Sequence, residues 1–105
     1  MSKYAVKFSN RANARIRDIF SYIAENNAGA ALKMVDTIEK RAGQLADSPF
    51  IGVELSQYEY PFLQSGYRRL IVRPFIIYYR VIGQTVYITH IVHERRNQFK
   101  ALSEK

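Results

Sequence analysis

The chain has 105 residues, a formal net charge of +7 and no cysteine, which sets it at one domain, residues 1–105, with a single core. The lack of cysteine excludes disulfide frameworks, thiolate zinc sites and cysteine nucleophiles together, and accords with a reducing cytosol. No apolar run approaches the roughly 18 to 20 residues that cross a bilayer, and the first residues alternate instead of forming a signal-peptide block, so a cytoplasmic protein without membrane association is expected.

Lys3 to Phe8 alternates polar and apolar, placing Tyr4, Val6 and Phe8 on one face of a first strand. Ser9-Asn10 follows, and its side-chain oxygens can cap a helix by accepting orphan amide protons. In that helix Ala12, Ile16, Ile19, Phe20 and Ile23 form one apolar stripe at the helical period. Asn26-Asn27-Ala28-Gly29 interrupts it. A second stripe, Ala31, Val35, Ile38, Ala42 and Leu45, predicts a second helix to about Ala46, stopped by Asp47-Ser48-Pro49. The short break makes the two helices an antiparallel hairpin, and their small alanines allow close approach.

Residues 49–65 form a long loop containing Phe50, Tyr58, Tyr60 and Phe62. Three runs rich in β-branched and aromatic residues follow. They are separated only by Arg73-Pro74 and Gly83-Gln84, spacings that fit antiparallel hairpins. The middle run, from Phe75 to Val81, is apolar on both faces. It is expected at the centre of the sheet, covered by the helices on one side and by something further on the other, with a partner protein as a candidate cover. In the last run strict alternation places Val86, Ile88, His90 and Val92 on one face and Tyr87, Thr89, Ile91 and His93 on the other. The polar run Glu94 to Gln98 then leaves the sheet. The expected fold is α+β, in the order β-α-α-β-β-β, with a helical hairpin packed on a mainly antiparallel sheet.

Charge is unevenly spread. Residues 66–105 hold eight Lys or Arg against two Glu, whereas residues 28–65 hold three against five acids. A basic sheet and tail imply an anionic partner, nucleic acid or acidic protein, although surplus arginine also keeps a β-rich protein soluble. His90 and His93, three residues apart on a strand, point to opposite faces, so no metal site is expected, and no cofactor either, since no glycine-rich phosphate loop is present. Ribonucleases can work with side chains alone, and His93 with Arg69, Arg95 and Arg96 could transfer protons and steady charge on a phosphate. A hydrogen-bonded closure of the last strand explains His93 and Arg96 equally well.

Several segments, in this order and spacing, resemble the RelE/ParE superfamily of bacterial type II toxins. They are Phe8-Ser9-Asn10, Tyr22-Ile23-Ala24, Asn27 with Ala30-Ala31, Pro49-Phe50-Ile51-Gly52, Gly66-Tyr67-Arg68-Arg69-Leu70, Tyr78-Tyr79-Arg80-Val81 and His93-Glu94-Arg95-Arg96-Asn97. The resemblance implies either of two activities: inhibition of DNA gyrase, as in ParE-like members, or ribosome-dependent cleavage of messenger RNA, as in RelE-like members. Arg69 and Arg96 match basic residues of the RelE-like site, but Ile76 stands where that branch carries an arginine and Leu102 where it carries a tyrosine. The ParE-like ending from His93 to Asn97 favours a gyrase-inhibiting toxin that is not an enzyme. The alternative is an endoribonuclease using Arg69, His93 and Arg96. Arg68, Arg69, Arg73, Arg80, Arg95 and Arg96 are the candidate target-binding residues. The resemblance also implies a cognate antitoxin with an acidic segment, for which Tyr22, Ile23 and Leu32 are candidate contacts.

Overall fold

The computed structural model describes residues 3–103. Met1 and Ser2, at the start of the alternating run, and Glu104 and Lys105, at the end of the basic tail, lie outside the described residues. The elements are β1 (Ala5–Phe8), α1 (Asn10–Ala24), α2 (Ala28–Gly43) closing in a 3-10 turn (Gln44–Ala46), β2 (Val53–Glu54), β3 (Tyr67–Val72), β4 (Phe75–Ile82), β5 (Thr85–His93) and α3 (Gln98–Ser103). The sheet runs β1-β5-β4-β3-β2, with β1 parallel to β5 and the other neighbours antiparallel. The expected α+β architecture is therefore present, with β4 at its centre.

Both helices start where capping chemistry places them. The Ser9 hydroxyl accepts from the Ala12 N–H at 3.0 Å, and the Asn27 side chain accepts from the Ala30 N–H at 2.9 Å, each satisfying a donor that the first turn leaves orphaned. Their stripes meet the sheet. Ala12, Ile19, Ile38, Ala42 and Leu45 are buried against Leu70, Val72, Phe75, Ile77, Tyr79, Val86, Ile88 and Ile91. Phe20 and Val35 are only half-buried, whereas Met34, outside the expected stripe, packs on this core. Full burial of Ile38, Leu45, Ile77 or Ile88 contributes about 1.5–3 kcal/mol each.

Several expectations are corrected. Strict alternation along β5 fails, because Tyr78 pairs with His90 while Tyr79 pairs with Ile88, leaving Thr89 as an extra residue in a bulge. The bulge exchanges the faces of everything after it. Val86, Ile88 and Ile91 consequently share the helix side, while Val92 packs on the other side. The second face of β4, for which a partner was a candidate cover, is covered by the chain itself. Leu55, Tyr60 and Leu63 of the long loop and Ala101 and Leu102 of α3 bury Tyr78 and Val92 in a second cluster. Pairing in the sheet also includes β2, two residues of that loop. The first strand begins at Ala5, not Lys3, and the polar run leaves the sheet after His93 and leads into α3.

Candidate functional site

At the β3–β4 turn the helical hairpin does not close completely over the sheet. A groove of about 530 Å³ remains, lined by Arg15, Ile19, Tyr22 and Ile23 of α1, Met34 of α2, and Pro74, Phe75, His93 and Arg96. Its α1 wall follows from spacing: residues 15, 19 and 23 recur every four positions, and Tyr22 sits beside them. The Arg15 Nε donates to the Ile91 carbonyl at 3.1 Å, and its guanidinium lies 5.7 Å from the Phe75 ring centroid. Burial, and then the nearby positive charge of Arg96, hold Arg15 below the usual guanidinium range, with Asp18 opposing. The groove is therefore an apolar slot whose rim carries like charges that an acidic group would relieve.

His93 is at the foot of this slot. Its ring meets Phe75 edge-on at 5.4 Å and 84°, and its Nδ1 accepts from the Arg95 N–H at 3.1 Å. Its carbonyl accepts from the Arg96 N–H and from the Gln98 side chain, so the end of β5 is tied to the start of α3. Gln98 also accepts from the Tyr78 hydroxyl at 2.7 Å. The hydrogen-bonded closure of the last strand is thus present, and it leaves His93 lining the groove as well.

The six candidate arginines do not gather into one patch. Arg73 pairs with Glu94 at 2.6 Å at the same end of the molecule as Arg95 and Arg96. Arg68 is a strut: its Nη1 donates to the Gly52 carbonyl at 2.8 Å and to the Phe50 carbonyl at 3.2 Å, and its guanidinium lies over the Phe50 ring. Arg69 and Arg80 project from the face of the sheet away from the helical hairpin. Arg69 is half-buried with its Nε unpaired, and Arg80 bonds Ser65 and Gln64 beside the Tyr67 ring. A carbonyl and an amide of the long loop thus satisfy the Arg80 guanidinium.

Of the antitoxin candidates, Tyr22 and Ile23 line the groove, while Leu32 is exposed on α2 outside it. Arg15, Ile19, Met34, Pro74 and Phe75 were missed. A cation four residues before Ile19, on the edge of an apolar stripe, was the available signal for Arg15. Among the described residues no cluster of three or more His, Cys, Asp or Glu could hold a metal ion, and no helix is long and apolar enough to cross a membrane.

Fold and groove together make a small α+β domain with a largely apolar slot between α1 and the β3–β4 turn. Over residues 6–98 the sequence matches the family described as ParE toxin of type II toxin-antitoxin system, parDE, and the chain belongs to that family. No curated protein matches it in sequence. A solved structure titled "Chromosomal ParDE TA system from P. aeruginosa" has the same fold, with a TM-score of 0.69 and 24% identity, covering 87% of this chain and 96% of that one.

Proposed function

We propose that this ParE toxin inhibits DNA gyrase in the cytoplasm and is held inactive by a cognate antitoxin whose acidic, apolar-faced segment fills the Arg15–Phe75 groove. One observation carries the choice of gyrase over messenger RNA. Arg69 is paired with Tyr78, on the face away from the helices, whereas His93 is paired with Phe75, on the helix side. The sheet stands between them, so Arg69, His93 and Arg96 do not face one phosphate, and concerted proton transfer needs groups within hydrogen-bond reach of one substrate. Ile76 and Leu102, standing where RelE-like enzymes carry an arginine and a tyrosine, are packing residues in the second cluster. The antitoxin half of the reading is supported by the like charges of Arg15 and Arg96 on the groove's rim and by the paired system named for the P. aeruginosa structure.

The test is a supercoiling assay with purified gyrase beside a ribosome-dependent cleavage assay. Supercoiling should be lost as toxin is added and restored by antitoxin. Cleaved message with unaffected supercoiling would overturn the reading. His93→Ala, its folding checked by circular dichroism, should leave gyrase inhibition largely intact, whereas a ribonuclease would lose on the order of 10²-fold or more in rate.

A further inference from the structure

The groove on the helix side leaves unexplained the basic residues of the opposite face. The ladder aligns two of them with aromatic partners: Lys7 is paired with Tyr87, Tyr87 with Arg80, and Arg80 with Tyr67. This row runs across β1, β5, β4 and β3 and alternates cation, ring, cation, ring. The next row over, Val6, Val86 and Val81, packs into the helix-side core, so the alternating row points the other way.

The row is open. The second cluster reaches Tyr67 but includes neither Arg80 nor Tyr87, and Tyr87 is 38% exposed. At a strand spacing of about 4.8 Å the four residues span about 14 Å, with the two tyrosines about 10 Å apart. The Arg80 guanidinium lies 5.6 Å from the Tyr67 ring centroid, which holds cation and ring as one unit. Beside Tyr67 a second groove of about 340 Å³ continues the surface, with Arg11, Gln64, His90 and Phe62 among its lining residues. Phe62 and Phe99 are each about half exposed at its edge and stand edge-on at 6.2 Å. Among the described residues no Asp or Glu lines this groove or stands in the row.

We propose that this face binds single-stranded nucleic acid, with bases stacking on Tyr87 and the Phe62 edge and phosphates meeting Lys7, Arg80 and Arg11. Cations alone would suit any polyanion. Rings interleaved with them select a strand whose base faces are free, because every base offers a π-face to a planar side chain and a duplex hides those faces in its own stack. An acidic peptide would use the cations and leave the rings idle. The inference is independent of gyrase, since the binding needs no second protein.

The test is fluorescence anisotropy of the full chain with labelled oligothymidylate of about 12 nucleotides, a duplex of the same length, and polyglutamate as competitor, between about 50 and about 200 mM salt. The single strand should bind best, and affinity should fall with salt. Tyr87→Ala should weaken binding about tenfold, and Lys7→Gln, at an exposed position that carries no packing, should lower the log–log salt slope by about 0.7. Three results would each overturn the proposal: no binding at the lower salt, equal affinity for the duplex, or polyglutamate displacing the strand at equal charge. Unchanged affinity in both variants would do the same.

Discussion

The Gly52 N–H donates to the Tyr79 hydroxyl at 2.8 Å, joining the long loop to the central strand across 27 positions of sequence. A Cβ on Gly52 would lie 2.5 Å from that hydroxyl oxygen and 2.7 Å from the Arg69 carbonyl, so glycine is required by close approach. Tyr79→Phe leaves the buried Gly52 donor without a partner and should destabilise the fold by about 1–3 kcal/mol. Gly52→Ala should cost at least as much, because the Arg69 carbonyl belongs to a paired strand and cannot swing aside. Urea denaturation measures both. A midpoint unchanged in Tyr79→Phe would mean that water replaces the hydroxyl.

The Arg11 Nη1 donates to His90 Nε2 at 3.1 Å, so His90 carries its proton on Nδ1 and donates it to the Thr89 hydroxyl at 2.8 Å. Thr89 in turn donates to the Tyr78 carbonyl at 3.4 Å. Burial, and secondly the Arg11 charge, lower the His90 pKa from 6.5 to about 4. Between those values the unfolded chain binds a proton that the native chain refuses. Stability should therefore be unaffected by His90 above about pH 6.5, fall as pH drops toward about 4, and fall no further below it. After discounting for solvent screening the loss is on the order of 1–2 kcal/mol. In Arg11→Ala the histidine should titrate higher but still below its ordinary value, since burial remains. An NMR titration of the His90 ring protons reads this directly.

Tyr22 and Leu32 are both exposed on the helical hairpin, yet only Tyr22 lines the Arg15–Phe75 groove. If the antitoxin docks there, Tyr22→Asp should weaken its binding tenfold or more, by removing an aromatic contact and adding a charge repelled by an acidic partner. Arg96→Glu should do likewise. Leu32→Asp should change affinity little. Calorimetric titration against the antitoxin separates the two surfaces, and an equal loss in Leu32→Asp would move the docking site off the groove.

The helical hairpin was legible because Ala12, Ile19, Ile38 and Ala42 repeat at a period that only one local structure satisfies, with Ser9 and Asn27 marking the starts. β3, β4 and β5 were legible for a similar reason: Arg73-Pro74 and Gly83-Gln84 leave no length for anything but hairpins. β2 was not legible. Val53 and Glu54 form a strand only because Arg69 and Arg68 lie opposite them. Nor was α3, a six-residue helix too short to hold itself, which packs Ala101 and Leu102 on the sheet.

The candidate site divided along the same line. Tyr22, Ile23 and Leu32 were candidates from the family resemblance alone; Tyr22 and Ile23 line the groove and Leu32 lies outside it. Which side His93 takes relative to Arg69 could not be read, because one extra residue at Thr89 decides the sides of His90 and His93, and that bulge arises in the hydrogen bonding between β4 and β5. Residue order alone thus determined the two long helices with their caps, the strands β3 to β5 and the family. Which surfaces the charges occupy, and what covers the second face of β4, depended on contacts between residues far apart in sequence, whose energies no local pattern records.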